Sequence, residues 1–254
     1  MSKINSAVLF CGGKGSRLGA IGKRKNKSLL LVNNKPIIYY IITQLLKSRV
    51  TNIILPLGYK GDDVKKYIQK KFVRNISKFI FVKTGINTEI SDRITKIKKY
   101  LPPKGLTFLL NGDTIFDFNL NDFIKSHFKS KKKISLATFT PKIDLGFIKM
   151  KNNKPVKFKK SIFISDFQTK GSKYLAYSGF IILDSQYLKK FKFNPKWDFE
   201  HEMYNKSIKS RDVNIFEIKK GTCFPIDNIK NLNYANILSI LKNWLSHFFI
   251  YKNY

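Results

Sequence analysis

The chain has 254 residues, 43% hydrophobic and 14% aromatic, with 49 Lys plus Arg against 16 Asp plus Glu and a formal charge of +33. That apolar share excludes a disordered, collagen-like or fibrous polypeptide, and the length suits one α/β domain or two small ones. No apolar run reaches the roughly 18 to 20 residues of a membrane-crossing helix, and Ala7 to Cys11 is too short for a signal-peptide core, so a cytoplasmic protein without a membrane span is expected.

Short apolar runs alternating with amphipathic stretches predict repeated βαβ units in the N-terminal half. Ala7 to Cys11 reads as a first strand running into a glycine-rich loop, and Pro36, suited to a first helical turn, opens a helix through about Lys47. A strand at Asn52 to Leu57, a helix from Asp62 to about Lys71 and a strand at Lys78 to Lys83 follow. Next come a helix near Arg93 to Tyr100 and a strand at Leu106 to Leu110. After Asn111-Gly112-Asp113 the order changes: a helix near Leu120 to Phe128 precedes strands at Ile134 to Thr140, Gly146 to Met150, Pro155 to Phe158 and Tyr174 to Leu183. A mixed sheet is therefore expected. A polar helix at 198–209, a strand at 213–218 and an amphipathic helix at 232–250 complete the pattern. With no Pro/Gly/Ser-rich linker or internal repeat, one compact domain is expected over residues 1–254.

Cys11 and Cys223 fit no metal-knuckle spacing and read as reduced thiols. The lysines are spread along the whole chain, so the charge predicts attraction for small polyanions rather than a specific nucleic-acid partner. Lys131-Lys132-Lys133 and Lys157-Phe158-Lys159-Lys160 read as solvated turns. His127, His201 and His247 show neither metal spacing nor a triad partner. Leu238, Leu241, Leu245, Phe248 and Phe249 form an apolar stripe expected to pack on the domain or on another subunit rather than on a membrane.

The strongest local signal is Phe10-Cys-Gly12-Gly13-Lys-Gly15-Ser-Arg17-Leu18, directly after the first strand. Glycines there let backbone N–H groups approach a ligand and form an anion-binding nest, and Arg17 adds a fork suited to phosphate. A dinucleotide-binding GxGxxG fails because Leu18 stands at the third glycine position, and no Walker A spacing is present.

With Lys27-Ser-Leu-Leu-Leu-Val-Asn-Asn-Lys35-Pro36 behind it, the loop resembles the signature of the sugar-1-phosphate nucleotidyltransferases, or nucleotide-sugar pyrophosphorylases. Asn111-Gly112-Asp113-Thr114 is similar to their Gly-Asp metal motif and Phe224-Pro-Ile-Asp227-Asn to their late aspartate motif. The fold implied is α/β, a Rossmann-like, mixed, mostly parallel sheet flanked by helices, with a nucleotide-binding part at about 1–117 and a sugar-phosphate-binding part at about 118–254. Thr84-Gly85-Ile-Asn-Thr88 with Arg93 resembles the nucleotide-specificity segment of glucose-1-phosphate cytidylyltransferases, as does Trp197-Asp-Phe-Glu200 their Trp-Glu-x-Glu segment. Asn111 to Asp117 and Phe199-Glu200 read more like heptose-1-phosphate guanylyltransferases.

The resemblance implies transfer of a nucleotidyl group from a nucleoside triphosphate, CTP by the nearer branch, to a sugar 1-phosphate such as glucose 1-phosphate, in nucleotide-sugar synthesis for surface glycans such as lipopolysaccharide or capsule. It assigns the backbone of Gly12, Gly13, Gly15 and Gly112 to base and phosphates, Arg17 to the β- and γ-phosphates, and Lys27 to the α-phosphate. Thr84, Thr88 and Arg93 fall to the base, and Asp113 and Asp227 to Mg²⁺. Gly146, Lys160, Ser178 and Gly179 fall on the sugar-phosphate side, where the family's Glu-Lys-Pro is Lys159-Lys160-Ser161 here. The family's Lys-Pro-Lys-Pro-Met is Lys25-Asn26-Lys27-Ser28-Leu29, which keeps both cations, and the loss of both prolines predicts a more flexible segment. The alternatives are a GTP-dependent heptose-1-phosphate guanylyltransferase and a catalytically silent nucleotide- or RNA-binding relative; a homo-oligomer is a further expected partner state.

Overall fold

The computed structural model describes residues 4–143, 147–160, 162–163, 172, 174–193, 198–221 and 223–241. The first strand, β1 (Ile4–Phe10), leads through the glycine loop into a short helix, α1 (Gly19–Arg24). A small hairpin of β2 (Leu31–Val32) and β3 (Lys35–Pro36) follows, turned by Asn33 and Asn34, both at positive φ as a type I′ turn requires. Pro36 then caps α2 (Ile37–Lys47). The βαβ order continues with β4 (Asn52–Leu57), α3 (Gly61–Lys71), β5 (Phe79–Lys83), α4 (Ile90–Ile97) and β6 (Leu106–Asn111).

The second half runs through β7 (Thr114–Phe116), α5 (Leu120–Ser130), β8 (Ile134–Phe139), β9 (Lys142–Ile143), β10 (Phe147–Lys151), β11 (Lys154–Lys159) and β12 (Ile162–Phe163). It ends with β13 (Ala176–Asp184), α6 (Ser185–Lys190), α7 (Phe199–Lys209), β14 (Val213–Glu217), β15 (Cys223–Pro225) and α8 (Ile229–Leu241). The expected strand positions hold, while β7 and β15 carry no readable periodicity in the sequence. The run at Lys157 to Lys159 lies on strand β11 rather than in a turn. The remainder of the predicted 232–250 helix lies outside the described residues, with the side chains of its expected apolar stripe.

Seven strands form the main sheet in the order β14-β8-β13-β6-β1-β4-β5. Only β13 runs against its neighbours, which gives the mixed, mostly parallel sheet expected. Period-two alternation sorts the side chains to two faces. On one, Ala7, Leu9, Ile53, Leu55, Phe108 and Leu110 pack with the apolar stripes of α2, α3 and α5. On the other, Val8, Ile54, Leu109, Ile181 and Leu183 meet Ile94 and Ile97 of α4, Leu188 of α6, and Phe199 and Met203 of α7. Helices thus cover both faces, as a parallel sheet requires.

The order places the site. From β1 the chain builds outward through β4 and β5 on one side and returns to pair β6 on the other. The C-terminal ends of β1 and β6, Phe10 opposite Asn111, therefore border the crevice where the winding direction reverses, the usual ligand position in open α/β sheets.

Candidate active site

At that crevice a cavity of about 570 Å³ opens between the glycine loop and the loop after β5. Gly12, Gly13 and Lys14 line one wall, Asn87, Thr88 and Glu89 the other, and Asn111 and Asp113 its end. Gly13, Lys14 and Arg17 are exposed, Arg17 on a single 3₁₀ turn at Ser16–Leu18. Gly15 sits in the left-handed region at φ 63°, and its carbonyl accepts the Leu18 N–H, which turns the loop sharply into α1.

Lys27 lies beneath this loop. Its Nζ donates to Asp113 Oδ2 at 2.6 Å and to Asp227 Oδ1 at 2.7 Å, across 86 and 200 residues of sequence. The β7–β15 ladder brings the two carboxylates together: Thr114 pairs Pro225, and one step beyond, the Ile226 N–H donates to the Asp113 carbonyl. Phe116 of β7 meets Phe180 of β13 edge to face at 4.3 Å, which fixes the small ladder on the main sheet. Burial pulls the Lys27 pKa down, but the Asp113 charge, its hydrogen bond and the contacts with Asp227 outweigh that, so the net shift is upward. Lys27 is therefore a held ammonium ion.

The segment around Lys27 is firmly pinned, contrary to the flexibility expected from its missing prolines. Asn26, buried, donates to the carbonyls of Cys11 at 2.8 Å and Tyr59 at 2.7 Å, and accepts the Ser28 N–H at 2.9 Å. It thereby caps the 3₁₀ turn Lys27–Leu29 and ties it to the ends of β1 and β4.

Residues 6–201 match the model of the nucleotidyl transferase family. The chain belongs to that family. It is 32% identical over 115 residues to a D-glycero-alpha-D-manno-heptose 1-phosphate guanylyltransferase of Campylobacter jejuni, covering 45% of this chain and 50% of that one. It is 31% identical over 154 residues to a Bacillus subtilis protein named "Probable glucose-1-phosphate cytidylyltransferase", covering 53% and 59%. The chain thus spans about half the length of each. Among solved structures, HddC from Yersinia pseudotuberculosis complexed with GMP-PN superimposes with a TM-score of 0.65 at 21% identity, over 92% of this chain and 99% of that one, a likeness of fold.

In this family member the remaining sequence-derived residues divide between cavity and scaffold. Thr88 lines the cavity, half-buried, with its hydroxyl on the Gly85 carbonyl. Arg93 reaches the cavity wall but acts as a brace: Nη2 donates to Gly12 O, Nη1 to Thr84 Oγ1 and Nε to Thr88 O. Helix α4 begins at Ile90 rather than at Arg93, which puts Arg93 on the buried face with Ile94 and Ile97. A Cβ on Gly12 would stand 2.1 Å from Arg93 Nη1, so the loop needs glycine to lie on the guanidinium. The Thr84 hydroxyl also faces inward, donating to Leu57 O. Gly112 is buried, its N–H on Phe10 O. Ser178 is buried too and donates to Ala137 O. Gly179, at φ 82°, lets β13 pass Asn111 where its pairing with β8 shifts register. Lys160 stands exposed just after β11. Gly146 and Trp197 lie outside the described residues.

Sequence reasoning missed Lys14, Asn111 and Glu89 as cavity-lining groups and Asn26 as the staple under Lys27. An Asn three residues before a short apolar run is a capping signal that could have found Asn26.

Proposed function

We propose that this protein transfers a nucleotidyl group from a nucleoside triphosphate to a sugar 1-phosphate with release of pyrophosphate, and that Mg²⁺ assists. The observation that carries this reading is the convergence of Lys27 and Asp227 on Asp113, which lines the end of the glycine-loop cavity. Two carboxylates suit Mg²⁺, which is bound by one or two of them together with substrate phosphates and waters. When bound, the ion would neutralise charge on phosphate oxygens.

The residues' tasks follow from the chemistry. A sugar 1-phosphate is largely ionised near neutral pH, since its second pKa is about 6, so no general base is required. What is required is to hold two mutually repelling anions in line. The Gly13–Gly15 backbone and Lys14 receive the triphosphate, Arg17 the departing pyrophosphate, and the Lys27 ammonium the charge at the transferred phosphorus. Residues at about 1–117 serve the nucleotide and those at about 118–254 the sugar phosphate, with Lys160 and the Gly146 backbone as its contacts.

For the base we propose CTP, on the resemblance of Thr84 to Arg93 and the Bacillus relative's name. Because Arg93 and Thr84 face the protein, Asn87, Thr88 and Glu89 are the groups left to read it. The Campylobacter relative's name favours GTP as a second reading. Pyrophosphate release across four nucleoside triphosphates and a panel of sugar 1-phosphates tests both. CTP with glucose 1-phosphate should give the highest kcat/KM. A higher value for GTP with every sugar overturns the base and spares the reaction, and no release with any pair overturns the reaction itself.

A further inference from the structure

Strands β10 and β11 pair only with each other, turned by Asn152 and Asn153 at φ 48° and 60°. The register separates two kinds of residue. Ile148 pairs Phe158, and Met150, two residues along, shares their face. Lys149 pairs Lys157, Lys151 pairs Lys154, and Lys159 sits opposite Phe147, all on the other face. Residues 147–160 hold six lysines and no acidic residue. The apolar face is open: Ile148 is 63% exposed, Met150 54%, and Phe158 66%, and the bulged Val156 is 53% exposed. Other exposed large apolar side chains, such as Val73 at 65% and Ile86 at 55%, are scattered over the fold, whereas these four lie together on one ribbon and, among the described residues, make an open face.

We infer that the β10–β11 hairpin is an interfacial anchor for a membrane surface rich in anionic phospholipid. Charge complementarity selects this occupant. A second copy of the chain would set one lysine-rich ribbon against another and a +33 protein against itself. A layer of phosphate headgroups answers both faces at once. With its apolar face at the acyl boundary, a flat two-stranded ribbon carries its opposite-face ammonium groups at headgroup depth, because that layer is only roughly 5–8 Å thick and lysine stems bend towards phosphate. Neither feature alone suffices, since stable attachment takes an apolar insertion plus basic charge. Such an anchor would hold the enzyme beside a membrane without any crossing helix, and among the described residues no helix is long and apolar enough to cross one.

Co-sedimentation of the full chain with phosphatidylcholine vesicles, with and without phosphatidylglycerol, tests the anchor. The chain should pellet only with the anionic vesicles. Ile148→Ser combined with Phe158→Ser should lower the partition coefficient by about tenfold or more, and Lys149→Gln with Lys157→Gln by about fivefold per lysine. Both pairs are exposed, so thermal midpoints should match the parent. Equal partitioning of parent and both variants would overturn the inference in favour of overall charge. Equal pelleting with neutral vesicles would overturn it too, and unchanged vesicle binding with a shift from dimer to monomer in sedimentation velocity would make the face a subunit contact instead.

Discussion

The two halves of the molecule hold their functional groups by different means. In the half proposed to serve the nucleotide, buried polar side chains are tied to backbone: Asn26 to Cys11 and Tyr59, Arg93 to Gly12 and Thr88, Thr84 to Leu57. In the half proposed to serve the sugar phosphate, Asp227 is delivered by a ladder of three residue pairs, Ser178 is absorbed into the sheet, and Lys160 stands at the foot of an open hairpin. The difference teaches that this fold ties the proposed phosphate end of the site into the backbone, where charge must be placed before reaction, and leaves the proposed acceptor end to short pieces of chain. Electrostatic assistance needs preorganised groups because reorganisation at the moment of reaction raises the barrier.

The largest break in that comparison should come from the carboxylate that joins the halves. Asp113→Asn, which keeps the shape and weakens the charge, should lower pyrophosphate release by about a hundredfold or more with little change in melting temperature. EDTA should stop turnover of the parent protein in the same assay.

Next in size is the nucleotide-side scaffold. Asn26→Ala leaves two carbonyls without their donor and the Ser28 N–H without its acceptor, which should cost about 3 kcal/mol in urea unfolding. Arg93→Ala should act similarly and raise the KM for the triphosphate more than Lys132→Ala does, since Lys132 is exposed and its ammonium donates to the Arg211 carbonyl.

A pH titration separates the halves by stability. His127 of α5 is buried with Nδ1 2.8 Å from Ser135 Oγ, and burial lowers its pKa from 6.5 to about 4, against a small opposing pull from Asp184. The unfolded chain therefore takes up this proton first: the stabilisation is present above pH 6.5 and is lost as pH falls towards 4. Unfolding free energy should drop by about 2 kcal/mol between about pH 7 and pH 5, and His127→Asn should remove that part of the slope.

The smallest effects belong to the acceptor side. Ser178→Ala removes one hydrogen bond to Ala137 O and should cost about 1 kcal/mol in the same unfolding assay. Lys149→Gln should stay within about 0.5 kcal/mol of the parent, as exposed substitutions do.

By itself the sequence determined the positions of β1, β4, β5 and β6 and of α2 and α3, because the apolar periods of two and of about 3.6 residues are carried by the chain without reference to its neighbours. It also determined the reactive types available: a glycine loop, an arginine, a lysine and two aspartates at family-like positions. Only the tertiary structure decided how they combine. No local signal says that Lys27 meets Asp113 and Asp227, since β7 and β15 have three residues each, too few for a periodicity, and gain their stability from pairing with each other. Nor could the segment around Arg93 reveal which way that side chain points. The helix begins at Ile90, three residues before the expected start, so Arg93 lies within its first turn on the buried face that it shares with Ile94 and Ile97. There the guanidinium meets the underside of Gly12, and a residue whose type suggested ligand binding becomes the support of the loop that would bind it.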